Sequence, residues 1–391
     1  MSIGTANRTS LSFIKEVTAG TTPAAPALQL LRFTSETLNS SNTTSQSEEI
    51  DDDRGVADLI ITDQSNAGDI TCEMSGTSFD SFLESVLASD ATWSAEAMAE
   101  TTISADATGF LDSGNGFVTE GFEVGQFIEV SGFVGTTINR IYRAVTVAAG
   151  EITTFPAPAT TEAAGASVTI DGSTIKSGKT DHSYSVQKKH GDIATPLYQN
   201  FRGIRINTMN LDLNIGSIVK IAFGLNGMTV ENTTTAIAGQ TEVAKTISEL
   251  MNAASNVSNI SASNGSTVTT AIKFTKLTLN YNNNHREQKA IGTLGAFDVK
   301  LGSINATVNI NPYFEDKELL DAFLASDSFV LSWQMTSPDG YTYVFSLPRV
   351  KFTNQSLNAG AKDTDMIIQS DVLGLFESTQ GVTMRIDRFV P

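Results

Sequence analysis

The sequence predicts a mainly β protein: two tandem β-sandwich or barrel domains, each with one flanking helix, plus a small β-domain inserted into the first. Three observations predict it. The composition is polar but weakly ionic, a set of segments recurs in the same order, and extra short strands interrupt one copy of that set. The 391 residues suggest about two or three domains at roughly 100–200 residues each. Hydrophobic residues make up 40%, enough for packed cores, so wholesale disorder is excluded. Charged residues reach only 17%; Thr, Ser, Asn, Gly and Ala fill the difference, as in β-rich, loop-rich chains.

The repeat is direct. Residues 32–42 read RFTSETLNSSN and residues 273–283 read KFTKLTLNYNN. Phe33/Phe274, Thr34/Thr275, Thr37/Thr278, Leu38/Leu279, Asn39/Asn280 and Asn42/Asn283 are identical pairs. Further matches follow in order. Gly68-Asp69-Ile70 is answered by Gly302-Ser303-Ile304, and Leu83 to Asp90 by Leu320 to Asp327. FRGIRINTMNLDLN (201–214) is answered by FSLPRVKFTNQSLN (345–358). The later matches lie closer together, so copy one carries roughly 90 extra residues after its Leu-Ala-Ser-Asp.

Each element follows from local pattern. In copy one (1–100 and 179–232), Ser10 to Ile14 and Leu28 to Phe33 read as strands. Residues 39–55 read as a long polar loop, a length usually reserved for function or disorder. Val56 to Thr62 and Ile70 to Met74 read as two strands. Ser78 to Leu87 reads as an amphipathic helix, with Ser78 as N-cap and Phe79, Phe82, Leu83, Val86 and Leu87 on one face. The insertion (101–178) shows strands at Phe117-Val118, Phe127 to Val130, Tyr142 to Val147, Ile152 to Phe155 and Val168 to Ile170. Turn residues separate them, which suggests a small barrel or sandwich. A linker (233–268) holds a short helix at Glu242 to Met251, and copy two (269–391) ends in a strand near Gly381 to Asp387.

Several function classes lack support. The formal charge is −18, from 43 acidic and 25 basic residues. Such a chain repels nucleic acid unless its cations cluster. The richest short cluster, Lys188-Lys189-His190, reads as a solvated strand end. The single cysteine, Cys72, excludes an intrachain disulfide framework and reads as a buried thiol. His182, His190 and His285 form no helical metal motif and read as surface residues. Asp51-Asp52-Asp53 lacks the alternating spacing of a calcium loop. No phosphate-binding glycine loop appears, and no carboxylate pair is singled out for glycoside hydrolysis. The start at Met1-Ser2-Ile3-Gly4 shows no secretory pattern, and no apolar run is long enough to span a bilayer. The expectation is a soluble chain made in the cytoplasm, without cofactor, metal or catalytic residues.

Taken together, the ordered features carry a resemblance. They are an early strand, a long polar loop, Glu49-Ile50-Asp51-Asp52-Asp53-Arg54, Gly68-Asp69-Ile70 and the helix Phe79-Asp80-Ser81-Phe82-Leu83-Glu84. This pattern resembles the tail tube proteins of long-tailed bacteriophages, in a duplicated form. The resemblance implies a structural virion protein whose rings stack into a hollow tube for double-stranded DNA. It implies contact with tail terminator, tail tip and tape measure proteins, and no membrane. Two fused copies imply a trimeric, pseudo-hexameric ring, with a homohexamer as the alternative. The long loops would reach neighbouring subunits or rings, through Glu48, Glu49, Asp51, Asp52, Asp53 and Arg54 in copy one and His285, Arg286 and Lys289 in copy two. The insertion would decorate the outside. The competing readings are a β-rich surface adhesin or receptor-binding tail protein and a polysaccharide-degrading tail enzyme.

Overall fold

The computed structural model describes residues 3–50, 52, 55–90, 92–93, 95–263, 268–269, 273–314, 317–357 and 362–391. Antiparallel pairing dominates. The first unit contains β1 (Thr9–Lys15), β2 (Asn39–Gln46), β3 (Leu59–Glu73) and helix α1 (Asp80–Val86). After the insertion it resumes with β4 (Tyr184–His190), β5 (Leu197–Asn214), β6 (Lys220–Gly227) and β7 (Thr229–Thr233). Its neighbour order is β2-β3-β6-β5-β4-β1, with β7 also on β5.

The second unit contains β8 (Val257–Ser263), β9 (Phe274–Asn282), β10 (Asn305–Pro312) and helix α2 (Glu318–Ala325). It continues with β11 (Phe329–Thr336), β12 (Thr342–Leu357), β13 (Ile368–Gly374) and β14 (Arg385–Phe389). Its neighbour order is β9-β10-β13-β12-β11-β8, with β14 also on β12. Position for position, this is the order of the first unit. Irregularities recur too. Register slips between Tyr184 and Val186 in β4 and between Phe329 and Leu331 in β11. It slips again between Ile206 and Thr208 in β5 and between Phe352 and Asn354 in β12. An extra residue in one strand bends the ladder locally, so these slips mark equivalent positions.

Pairing corrects two of the sequence matches. Glu36 faces Ile70 and Leu277 faces Ile310, so Ile70 answers Ile310 rather than Ile304. The slips place Asn207 opposite Thr353 in the comparison of the two units, two residues from the match read in sequence. Period-two alternation tolerates such even slips, because every side chain keeps its face.

Other local expectations change as well. The polar stretch after Leu38 contains β2, and the two expected strands after Val56 are one continuous β3. β2 is exposed on both faces, so it shows no alternation; its ladder to β3 holds it. The expected helix at Glu242–Met251 is extended chain. Thr241–Val243 runs parallel to Ala27–Leu30, and Met251 donates its N–H to Met74 O at 2.9 Å. Those backbone groups are already bonded outside any helix. Helix α1 begins after Phe79, without a side-chain cap; Ser78 Oγ instead contacts Ser75 Oγ at 2.7 Å.

A separate seven-stranded sheet spans Glu96 to Gly172, five residues earlier in the chain than expected. Its own core gathers Phe110, Phe117, Ile128, Tyr142, Ile152 and Ile170. Phe117 lies in a turn, not a strand, and plugs this core. The next strand, Thr174–Lys176, already belongs to the main body, on β14. Across this junction, Glu123 receives Arg385 at 2.9 Å and Lys176 at 2.8 Å.

The main core forms beneath α1. Phe82 lies against Phe13 at 4.7 Å, Phe223 at 5.3 Å and Tyr184 at 5.7 Å between ring centroids. The Tyr184 hydroxyl donates to Ser81 O at 2.6 Å. Thus the phenylalanine spacing of the helix places its rings on β1, β4 and β6. Replacing Phe82 by Ala is expected to cost about 3–5 kcal/mol. Thermal melting should shift clearly downward; an unchanged midpoint would contradict this packing.

Candidate assembly surfaces

The two units meet edge to edge. β5 pairs antiparallel with β9, from Thr208 opposite Asn282 to Asn214 opposite Lys276. One continuous sheet therefore runs β2-β3-β6-β5-β9-β10-β13-β12. Alternation gives it two unlike faces. Leu211, Leu213, Leu277 and Leu279 point into the core. The opposite face carries Asn210, Asp212, Thr278, Asn280, Asn309 and Asp371.

Charges on that face are held by neutral partners. Asn210 Nδ2 donates to Asn280 Oδ1 at 2.5 Å, and Thr278 Oγ1 to Asp212 Oδ1 at 2.8 Å. Asn309 Nδ2 donates to Asp371 Oδ1 at 2.7 Å, while Lys276 stands 4.0 Å from Asp212. This polar face was missed in sequence. Its signal is the alternation of Asn, Thr and Asp with Leu in NTMNLDLN and LTLNYNN.

The loops project at the hairpin ends. Glu48, Glu49 and Asp52 lie exposed between β2 and β3, with Glu49 N–H on Ser47 Oγ at 3.3 Å. Asp51, Asp53 and Arg54 lie outside the described residues. Exposed apolar side chains accompany the acids: Ile50, Val56, Leu59, Ile60 and Ile61. The second unit has a small hairpin, Arg286–Gln288 with Asp298–Lys300, whose tip exposes Ile291, Leu294 and Phe297. Paired apolar tips of this kind mark contact surfaces.

The basic loop is turned toward its own chain. Lys289 Nζ contacts Asp63 Oδ2 at 2.5 Å on β3 and Glu287 Oε2 at 3.2 Å. Lys289 accordingly holds the Asp63 carboxyl below its ordinary range, chiefly through that hydrogen bond. Gly295, at φ +81°, passes so near β3 that a Cβ there would meet Gln64 O at 3.0 Å. Arg286 is exposed. Within its own chain, then, Lys289 is engaged by Asp63 and Glu287.

A buried cation anchors the hairpin. Arg205 contacts Asp181 at 2.7 Å and Asp298 at 2.9 Å, with its side chain 3% exposed. His285 is not a surface residue. Its backbone N–H donates to Asn207 Oδ1 at 2.9 Å, and both ring nitrogens are buried without a partner among the described residues. Burial, aided by Arg205 and opposed by Asp181, pushes its pKa down to about 4. Lys188 and Lys189 are also paired, with Glu36 at 2.7 Å and Glu242 at 3.2 Å. Burial pushes the Cys72 thiol up to about 12. Among the described residues no group of three His, Cys, Asp or Glu could hold a metal, and no helix is long and apolar enough to cross a membrane.

Two outcomes follow from the anchor. Arg205→Met should destabilise by about 1–3 kcal/mol, because Asp181 and Asp298 lose charge-assisted hydrogen bonds, while Asp298 keeps Lys300 at 2.6 Å. Chemical denaturation measures it, and a neutral effect contradicts the anchor. His285 folds in its neutral form, so its contribution is whole above about pH 6.5, its unfolded pKa, and is lost as pH falls toward 4. His285→Gln should flatten stability across that window; an unchanged slope would show that the histidine is not desolvated.

A family model described as phage tail tube protein matches residues 6–372. No curated protein matches the chain. With nearly the whole length covered, and a β-rich architecture to match, the chain belongs to the phage tail tube protein family.

Proposed function

We propose that the chain is a structural, non-catalytic subunit built of two fused copies of one ring-forming unit. Three chains would close a pseudo-hexameric ring, and rings would stack into a hollow tube that conducts double-stranded DNA. The observation that carries this reading is the β5–β9 joint: two units of the same strand order are already joined edge to edge within one chain. Continuing the same joint around a circle removes the remaining edges of the sheet.

The polar face supports the DNA path. On this Asn- and Thr-rich surface the carboxylates are partnered and Lys276 sits beside Asp212, so phosphate meets no concentrated positive charge and a duplex can slide. A basic lining would retain it. The virion tail is then the site of action, after assembly in the host cytoplasm around a tape measure protein and between tail tip and terminator proteins. The seven-stranded insertion would decorate the exterior.

The hairpin tips supply the stacking surface in this reading. Glu48, Glu49 and Asp52 of one ring face Arg286 of the next, beside the apolar tips, while Lys289 stays with Asp63. Purified protein in negative stain should show stacked rings or hollow filaments, and persistently discrete monomers would contradict the reading. Arg286→Glu should reduce the pelletable fraction at low salt, with the difference shrinking at high ionic strength. Equal polymerisation at every salt concentration would remove the charge contact.

A further inference from the structure

The joint inside the chain is a template for the joint between chains. At that joint Met209 faces Tyr281 and Asn210 faces Asn280. Asn283, just beyond β9 and buried, donates Nδ2 to Val86 O at 2.7 Å in α1 and to Ile206 O at 3.3 Å in β5. One amide thus ties the second unit to both the helix and the strand of the first.

Strand order makes β12 the counterpart of β5, and β2 the counterpart of β9. Both counterparts end the continuous sheet. Among the described residues β2 pairs only with β3, and Asn354 to Leu357 of β12 pair only with β13. The sequence repeats the joint's key residues on β2, where Asn39 and Asn42 answer Asn280 and Asn283. The slips at Asn207 and Thr353 fix the register on the other side.

We propose that Leu38 to Ser41 of one chain add antiparallel to Asn354 to Leu357 of a second copy, with Gln355 opposite Ser40 and Ser356 opposite Asn39. The inference rests on the tube reading and deepens it by naming the partner edge. Ser40 Oγ is buried without a hydrogen-bond partner among the described residues of its own chain. Across this seam Ser40 Oγ donates to Gln355 Oε1, while Gln355 Nε2 keeps its bond to Ser370 Oγ at 3.2 Å, and the cost of an unmade bond is removed. Asn42 takes the place of Asn283 and reaches the last turn of the neighbour's α2. That helix is ready for a cover: Leu324 is 80% exposed, whereas Leu87, its counterpart in the first unit, is fully buried. β-strand addition of this kind satisfies the backbone of both edges.

Engineered cysteines test the register. A chain carrying Ser40→Cys and Gln355→Cys is assembled, then oxidised and run without reductant. Cys72, buried with its thiol pushed up to about 12, stays out of the reaction. Covalent dimers and trimers are expected, about tenfold more than from Thr44→Cys with Gln355→Cys, because disulfides tolerate little misplacement. If the double variant fails to assemble, each single variant is mixed into excess wild-type chain, and cross-linked dimers are expected. Tubes without in-register cross-links overturn the seam and leave the tube reading standing. A wild-type chain that forms no assembly overturns both.

Discussion

A β-strand with one side unpaired presents a row of N–H and C=O groups that water satisfies only while the edge stays open. The rest of this structure is arranged around that constraint. Within the chain, β5 and β9 resolve it for each other, and the leucines behind them complete a shared core. At the two ends of the continuous sheet, β2 and the last residues of β12 have an open side among the described residues. The molecule is therefore closed in its middle and unfinished at its ends, which is the geometry of a subunit rather than of a self-sufficient domain.

Charge is distributed to suit the same end. The chain carries −18 overall, yet the polar sheet face holds its carboxylates against Asn and Thr side chains. The cations near the second hairpin are consumed locally, Arg205 by Asp181 and Asp298 and Lys289 by Asp63 and Glu287. These contacts fix where the hairpin leaves the body. They leave its apolar tip exposed beside Arg286, with Lys289 engaged by Asp63 and Glu287.

What the sequence made legible was what recurs or alternates. The shared Phe-Thr and Thr-Leu-Asn segments of residues 32–42 and 273–283 announce equivalent strands, and the phenylalanine spacing of residues 79–87 announces α1. β2 was illegible because no face of it is buried, so no apolar period marks it. The false helix at Glu242–Met251 arose from local spacing, while distant strands had claimed its backbone. Of the candidate loop residues, Glu48, Glu49, Asp52 and Arg286 lie exposed, whereas the His285 ring is buried and Lys289, itself exposed, is paired with Asp63. Their partners, Asn207 for His285 and Asp63 for Lys289, are far away in the chain, and no local pattern joins them.

The central claim is that both units occupy equivalent places around one channel. A cryo-electron microscopy map of the assembled tube tests it most directly, by counting chains per ring and comparing the radii of the two units. The account predicts three chains, with β5 and β12 at the same radius and the Asn- and Thr-rich face turned inward. A ring of six chains with the second unit outside the first, or a channel lined by the leucine face, would contradict it.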